Sequence, residues 1–496
     1  MFSSELIAKK GLCTALLVLL GACAVGPDYK APELVAPADW KSWHGGAGAL
    51  SELPARQGSA ELPDWKGFGD PVLDRLLDEL ERGTPDLVSA SLRFAQSRAQ
   101  RLTVTAQRGP KLDARGGATR QKISENGNST RSLAVIAPGS RDALAEKLAD
   151  PYSLYQAGFD ASWEIDLWGR VRRSVEAADA SVAANEASLA EVKLALGAEL
   201  ARHYFELRAA QEQLRLAREQ IAASEETLSM VRAQQKSGLV NALTLSQQEA
   251  LLADQRSRLP QLEAQEAQAS NQITLLLGKR PGSLKAELAD VDKPASVEAL
   301  PELKLGLPGE LARRRPDIRR AEAELHSAVA SVGVATADLY PRVVLGASFG
   351  LESTTSNKFG EWGSSQWSVG PSLSLPLFDQ GRRRATIRLR ELQQQEAAVA
   401  LQKTVLRAWH EVDDSLNAYS AELLRHAQLV AKTRSSREAY ALARARTASG
   451  LADSLVELDA RRTLLQAQRD EVESTSRLFI DLVAIRKALG LAQVGS

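Results

Sequence analysis

The sequence predicts a mainly α-helical chain with a small β part of membrane-crossing length, arranged as two repeats. Three observations carry this. Two stretches of about 65 residues, Gly169 to about Ser237 and Gly381 to about Ser449, keep apolar residues at helical spacing with almost no Pro or Gly. Four short runs switch to a period of two. One offset relates the halves: Gly169-Arg170 to Gly381-Arg382, Ser237-Gly238-Leu239 to Ser449-Gly450-Leu451, and Gly278 to Gly490, each 212 residues apart.

Composition excludes several classes. The chain has 496 residues, with 62 Lys+Arg against 62 Asp+Glu. A zero balance gives no global reason to bind phosphate backbones, so no nucleic-acid partner is expected. Two Cys exclude a disulfide framework and a Cys-based zinc site. His44, His203, His326, His410 and His426 form no HExxH or HxH cluster, so no metal site is expected. No nucleophile–base pair and no phosphate loop is found. The expectation is a non-enzyme with no catalytic residue and no cofactor.

Residues 1–22 have a signal-peptide layout: Lys9-Lys10, then an apolar run from Gly11 to Leu20. That run is shorter than the roughly 20 residues of a membrane span. Leu20-Gly21-Ala22-Cys23 resembles a bacterial lipobox, in which cleavage precedes the Cys and its thiol takes a diacylglycerol. That makes Cys23 the candidate lipidation site, and palmitate-length chains add about 0.8 kcal/mol per buried CH2, so several give a firm anchor. Cys13 leaves with the signal, which suits an oxidising periplasm.

Residues 23–68, rich in Pro, Gly and Trp, read as an extended arm. A helix starts at Pro71 with Asp70 as N-cap and runs to about Arg108, where Gly109-Pro110 stops it. The clearest alternation covers 155–167, with Tyr155, Phe159, Trp163 and Leu167 against Gln156, Asp160, Glu164 and Asp166. Others cover 343–352 (with Glu352 on the polar side), 367–377 and, more weakly, 112–119. These make two hairpins, at about 110–168 and 341–378. A tilted membrane strand needs about 9–11 residues. Apolar-to-lipid with polar-to-lumen fits the pattern, making Asp160, Glu164, Asp166 and Glu352 lumen candidates. A soluble sheet with one wet face fits it equally.

The two long helices would each span roughly 100 Å at 1.5 Å per residue, about three bilayer cores. Leu189, Val192, Leu196, Leu200, His203 and Leu207 step by 3, 4, 4, 3 and 4, a stutter that straightens a supercoil. Returning helices follow at about 242–278 and 454–490. The resulting organisation is a first repeat at 69–280, a Pro/Gly-rich crossover linker at 281–309, a second repeat at 310–490 and a tail at 491–496. If the strands enter a membrane, the sheet must close, because lipid cannot satisfy its edges. Four strands cannot close alone, since known barrels start at eight. Two copies give eight strands and a filled interior; three give twelve and a water channel. The reading is an oligomeric conduit.

At this point the residues resemble a known family, the TolC-type outer-membrane factors, in the lipoprotein branch of OprM and NodT-like efflux channels. The resemblance rests on Cys23-Ala-Val-Gly-Pro-Asp-Tyr-Lys-Ala-Pro32 and on Phe68-Gly-Asp-Pro-Val-Leu-Asp-Arg-Leu with Pro85-Asp-Leu. It rests also on Leu307-Pro308, on Arg314-Arg315-Pro316-Asp317-Ile318 with Ala321-Glu322, and on Tyr340-Pro341. Pro376-Leu-Phe-Asp-Gln-Gly-Arg382 and Leu458-Asp459-Ala460 complete it. It implies a homotrimer with a twelve-stranded β-barrel in outer-membrane lipid and an α-helical barrel extending into the periplasm. Ala24 in place of Asp after the lipobox implies outer-membrane delivery. The implied role is the exit duct of a tripartite pump conferring multidrug resistance. Its partners would be a periplasmic adaptor (membrane fusion protein) and an inner-membrane transporter of the RND type. A type I protein-secretion duct is the alternative within this fold; a periplasmic coiled-coil scaffold lipoprotein is the alternative outside it.

The resemblance also implies a periplasmic gate near the second helix turn. There Asp453 is the candidate for an acidic ring and Leu451 for an apolar one. Asp453 is equally placed to N-cap the returning helix. The chain has Ala452 and Thr244 where relatives commonly carry acids. Gly238 and Gly450 are the expected helix-turn glycines. Arg313-Arg314-Arg315 and Arg382-Arg383-Arg384 read as solvated helix starts paired with nearby acids.

Overall fold

The structure is a computed structural model and describes residues 24–33, 68–289 and 314–490. The signal segment, Cys23, arm residues 34–67, linker residues 290–309, Arg313 and the tail lie outside them. In chain order the main elements are α1 (Pro71–Gly83), α2 (Pro85–Thr105) and β1 (Lys111–Gln121). Short α3 (Asn128–Arg131), α4 (Leu133–Ile136) and α5 (Arg141–Leu148) lead to β2 (Tyr152–Ile165). Then come α6 (Arg170–Lys236), α7 (Ala242–Leu276), α8 (Pro316–Ala337), β3 (Arg342–Ser353), β4 (Ser365–Ser374), α9 (Arg382–Ala448) and α10 (Ser454–Ala488). α6 and α9 have 67 residues each and α7 and α10 have 35, all at the offset of 212.

The expected N-cap is present: Asp70 Oδ1 accepts from Val72 N at 2.9 Å and Leu73 N at 3.3 Å. The single helix expected over 71–108 is instead two. Gly83 turns left-handed at φ 127°, Thr84 is extended, and Pro85 starts α2 without an N–H to lose. The run expected to reach Leu377 ends at Ser374, two residues before Pro376, which has no N–H to give a ladder. The connection between β1 and β2 carries three short helices that no periodicity announced. No described helix is long and apolar enough to cross a membrane.

Contacts divide the chain into two compact units. The first comprises Met1–Lys30, Ser97–Val182 and Glu324–Ala397. It holds one four-stranded antiparallel sheet in the order β1-β2-β3-β4. The two expected hairpins are thus joined through the β2–β3 pair. The start of α6 packs on α8, burying Val171, Val175, Val329 and Ala330. Residues 24–29 are strapped onto this pair. Val25 N donates to Trp168 O at 3.1 Å, Tyr29 stacks on His326 at 4.2 Å, and Asp28 pairs with buried Arg173. A Cβ on Gly26 would lie 2.5 Å from Gly333 Cα, so only glycine fits there.

The second unit comprises Ala31–Gln96, Ala183–Ala323 and Ala398–Ser496. Its buried side chains come from α1, α6, α7 and α10 among others, with Phe68, Phe205 and Phe479 in one aromatic cluster. Phe205 and Phe479 stack at 4.6 Å, and Phe68 meets Phe205 edge-on at 5.2 Å. Leu73, Leu76, Leu200, Ile273, Leu478 and Ile485 are fully buried in the same unit. Fully burying such side chains stabilises by about 1.5–3 kcal/mol each.

Candidate functional site

The sheet register sorts its side chains onto two faces. Leu112, Ala161, Ala347 and Val369 form one cross-strand row, and Ala114, Phe159, Phe349 and Trp367 the next. Trp163 with Leu345, and Val343 with Leu373, extend this face. Its large side chains stay uncovered: Phe159 is 53 % exposed, Trp367 72 % and Leu373 69 %. A soluble sheet with one wet face buries its apolar side, because exposed apolar area is costly in water. Here the apolar side is the bare one, as lipid requires.

The other face is polar. Asp113 lies opposite Asp160, a like-charge pair offset by Lys111 on Asp113 at 2.7 Å and Arg115 on Asp160 at 3.2 Å. Gln156 Nε2 donates to Glu352 Oε2 at 2.6 Å, and Ser348 and Ser368 hydroxyls meet at 2.8 Å. Asp160 and Glu352 therefore share one face. Glu164 lies at the strand end. Both its oxygens accept from Arg170, at 2.7 and 2.8 Å, and this hydrogen bonding raises the Arg170 pKa above its ordinary value. Asp166 needs correction as a strand residue. β2 ends at Ile165, and Asp166 instead caps α6, accepting from Val171 N at 3.0 Å and Arg172 N at 2.8 Å. β1 and β4 each have one neighbour, so both sheet edges are open.

The two helix turns are built alike. Gly238 and Gly450 are left-handed, at φ 74° and 69°. Leu239 N reaches Gln234 O at 2.9 Å and Gly238 N reaches Gln235 O at 3.0 Å. Leu451 N reaches Arg446 O at 2.8 Å and Gly450 N reaches Thr447 O at 3.0 Å. Each is the paired 6→1 and 5→2 closure of a Schellman motif. Asp453 Oδ1 accepts from Leu455 N at 3.3 Å, the capping geometry. Leu451 points out, 72 % exposed. Sequence reasoning missed the equivalents at the first turn, Asn241, which caps α7 through Thr244 N at 2.9 Å, and exposed Leu239. The 212-residue offset applied to Asp453 and Leu451 would have found both.

One charge run also needs correction. Arg315 is not solvated: its side chain is 7 % exposed. It donates to Asp317 at 3.0 and 2.8 Å, to Glu411 at 2.6 Å and to Ala488 O at 2.6 Å. Helix-start position was legible, but not the carbonyl waiting for it at the end of α10. Arg383 pairs with Asp379 at 2.9 Å, and Arg382 and Arg384 are exposed. Among the described residues no three His, Cys, Asp or Glu side chains gather as a metal site.

The outer membrane efflux protein family model matches residues 76–279 and 307–491. The outer membrane protein OprJ of Pseudomonas aeruginosa is 33 % identical over 484 residues, 97 % of this chain and 95 % of that one. The pyoverdine export outer membrane protein OpmQ of the same organism is 32 % identical over 473 residues, covering 95 % and 94 %. Among solved structures, the outer-membrane channel OprN superposes with a TM-score of 0.81 at 34 % identity, covering 94 % of this chain and 99 % of that one. A bare apolar sheet face on a helical chain, matched over nearly its whole length at this identity, has one reading: the chain belongs to the outer membrane efflux protein family, as an outer-membrane channel of the efflux type.

Proposed function

We propose that three copies close their open sheet edges into one twelve-stranded barrel and serve as the exit duct of a tripartite efflux pump. The observation that carries this is the sheet itself, bare and apolar on one face, polar on the other, and unpaired along β1 and β4. Lipid tolerates no open edge, and a twelve-stranded barrel admits water. Asp160 and Glu352 then line the lumen, with Glu164 at its inner rim, while Asp166 serves α6 as a cap. The repeats 69–280 and 310–490 each supply one hairpin and two periplasmic helices. Cys23 carries the acyl anchor. A periplasmic adaptor and an RND-type inner-membrane transporter complete the pump, and the duct does no chemistry. Small toxic molecules are the cargo; the similarity to OpmQ, named for pyoverdine export, supports small molecules over proteins.

The gate is placed at the turns 237–241 and 449–453, with Leu451 as an apolar constriction and three Asp453 carboxylates as a cation-attracting ring. Asp453→Asn keeps the cap and removes the charge; Asp453→Ala removes both. A charged gate predicts that both variants lower cation selectivity and raise conductance in planar bilayers. A silent Asn variant would leave Asp453 a cap only. The duct itself is tested by heat-resistant trimer bands and single-channel conductance of the purified chain. An extractable monomer without conductance refutes it.

A further inference from the structure

One charge stands on the apolar face of the sheet. β1 contributes Leu112, Ala114, Gly116, Ala118 and Arg120 to that face, and Arg120 lies opposite Ser153 near the far end of the β1–β2 ladder. Among the described strand residues, Arg120 is the only charged side chain on this face. It is exposed, and no described carboxylate pairs with it. A charge facing lipid is tolerated at the rim of a barrel and not at its middle. Its height fits that rule. Trp163, on the same face, donates its indole N–H to Arg108 O at 2.9 Å and marks the inner rim, where the sheet meets the helices. Ser153, the partner of Arg120, precedes Trp163 by ten residues along β2. At about 3.4 Å per residue and a tilt of about 40°, this spans about 26 Å along the membrane normal, the height of a barrel's apolar band. Arg120 therefore stands at headgroup level. It stands on the outer side, because the helices extend into the periplasm and the strand ends at Gln121 and Tyr152 face away from them.

An aromatic shelf lies beside it. Tyr155, diagonal to Arg120 across the ladder, meets Phe359 of the β3–β4 connection edge-on at 6.4 Å. Trp362 of the same connection lies 6.5 Å from Phe349 of the apolar face and stays 79 % exposed. Lys358, exposed beside Phe359, is a second cation without a described carboxylate partner, and Glu361 is the one acid of this connection. All of these residues lie in the first unit. A guanidinium fork matches phosphate oxygens, and the negative face of an exposed ring attracts the C–H groups of a sugar. The outer leaflet of an outer membrane presents both on one molecule, the phosphorylated glucosamine headgroup of lipopolysaccharide. We infer that Arg120, Lys358 and the shelf of Tyr155, Phe359 and Trp362 form a binding site for that headgroup, with a phosphate on Arg120 and a sugar ring on Trp362. The acyl chains then run down the bare apolar face below.

This inference rests on the barrel proposed above. For the test, the full chain is purified as a heat-resistant trimer, stripped of lipid and titrated with diphosphoryl lipid A, and bound copies are counted by native mass spectrometry. Wild type should retain lipid A, and Arg120→Ala and Trp362→Ala should each bind at least fivefold less. Arg120→Gln replaces Arg120→Ala should the latter fail to assemble. Arg115→Gln, on the opposite face of the same strand, should bind as wild type does. Dephosphorylated lipid A lacks the phosphate and phosphatidylglycerol lacks the sugar, so each should bind wild type at least fivefold less. Wild-type trimers that bind no lipid A, or that bind either control lipid equally well, overturn the site and leave the barrel standing. Undiminished binding by the Arg120 variant, or an equal loss in Arg115→Gln, also overturns the site. A wild-type chain that forms neither trimers nor conducting channels overturns the barrel, and the site with it.

Discussion

Arg315→Ala should destabilise the helical unit by about 3 kcal/mol, a figure that follows from its surroundings. The guanidinium makes four donations, to both oxygens of Asp317, to Glu411 and to Ala488 O. It ties the start of α8 to α9 and to the last turn of α10. Removing one partner of a buried ion pair costs about 3–5 kcal/mol, because the other charge is left without compensation. Asp317 is 17 % exposed and bears that cost in full; Glu411 is 47 % exposed and regains water, which places the sum at the lower end. Arg315→Lys keeps the charge but not the fork. It loses the bidentate grip on Asp317 or the Ala488 carbonyl, and about half the stabilisation with it. Urea unfolding of the detergent-solubilised chain, followed by far-UV circular dichroism, measures both. A change below about 0.5 kcal/mol for Arg315→Ala, the size of an exposed pair, refutes the buried-clamp argument. A Lys variant equal to wild type refutes the part played by the fork.

Two further outcomes are expected. Gly490→Ala and Gly450→Ala both force alanine into a left-handed turn, at φ 67° and 69°, for about 1–2 kcal/mol each. Gly490 should cost at least about 1 kcal/mol more, since its Cβ would lie 2.6 Å from Arg315 Cγ whereas nothing lies within 4 Å at Gly450; equal midpoints in the same unfolding assay would contradict this. Asp481 is pushed up to about 6, by burial first and by the charge of Glu422 second. The folded chain therefore holds a proton there that the unfolded chain has released. This term lowers stability as pH rises from about 4 through about 6. Asp481→Asn should remove that slope and raise the thermal midpoint at neutral pH; an unchanged slope would show that Asp481 is not its source.

Periodicity alone located most elements of this chain. The long helices end within a residue or two of the expected positions, because glycine at the turns and a strict 3.6 period leave few alternatives over so many residues. The alternations around Phe159 and Phe349 located β2 and β3, because a sustained period of two does not fit a helix. Local reading failed where a single residue decided: Gly83 and Pro85 split one helix, and Asp166 left the strand to cap α6. The short helices 128–148 carry too little periodicity to announce themselves.

The sequence by itself determined the elements, the duplication and the two-sided strands, since each is a local pattern of side-chain spacing. Tertiary structure decided what the spacing left open. Whether the apolar strand face is covered depends on what the rest of the chain packs against, and among the described residues its large side chains Phe159, Trp367 and Leu373 stay exposed. Whether Arg315 is solvated depends on Glu411 and Ala488, remote in sequence. That the two hairpins form one open-edged sheet depends on the β2–β3 pairing, a long-range contact with no local signature.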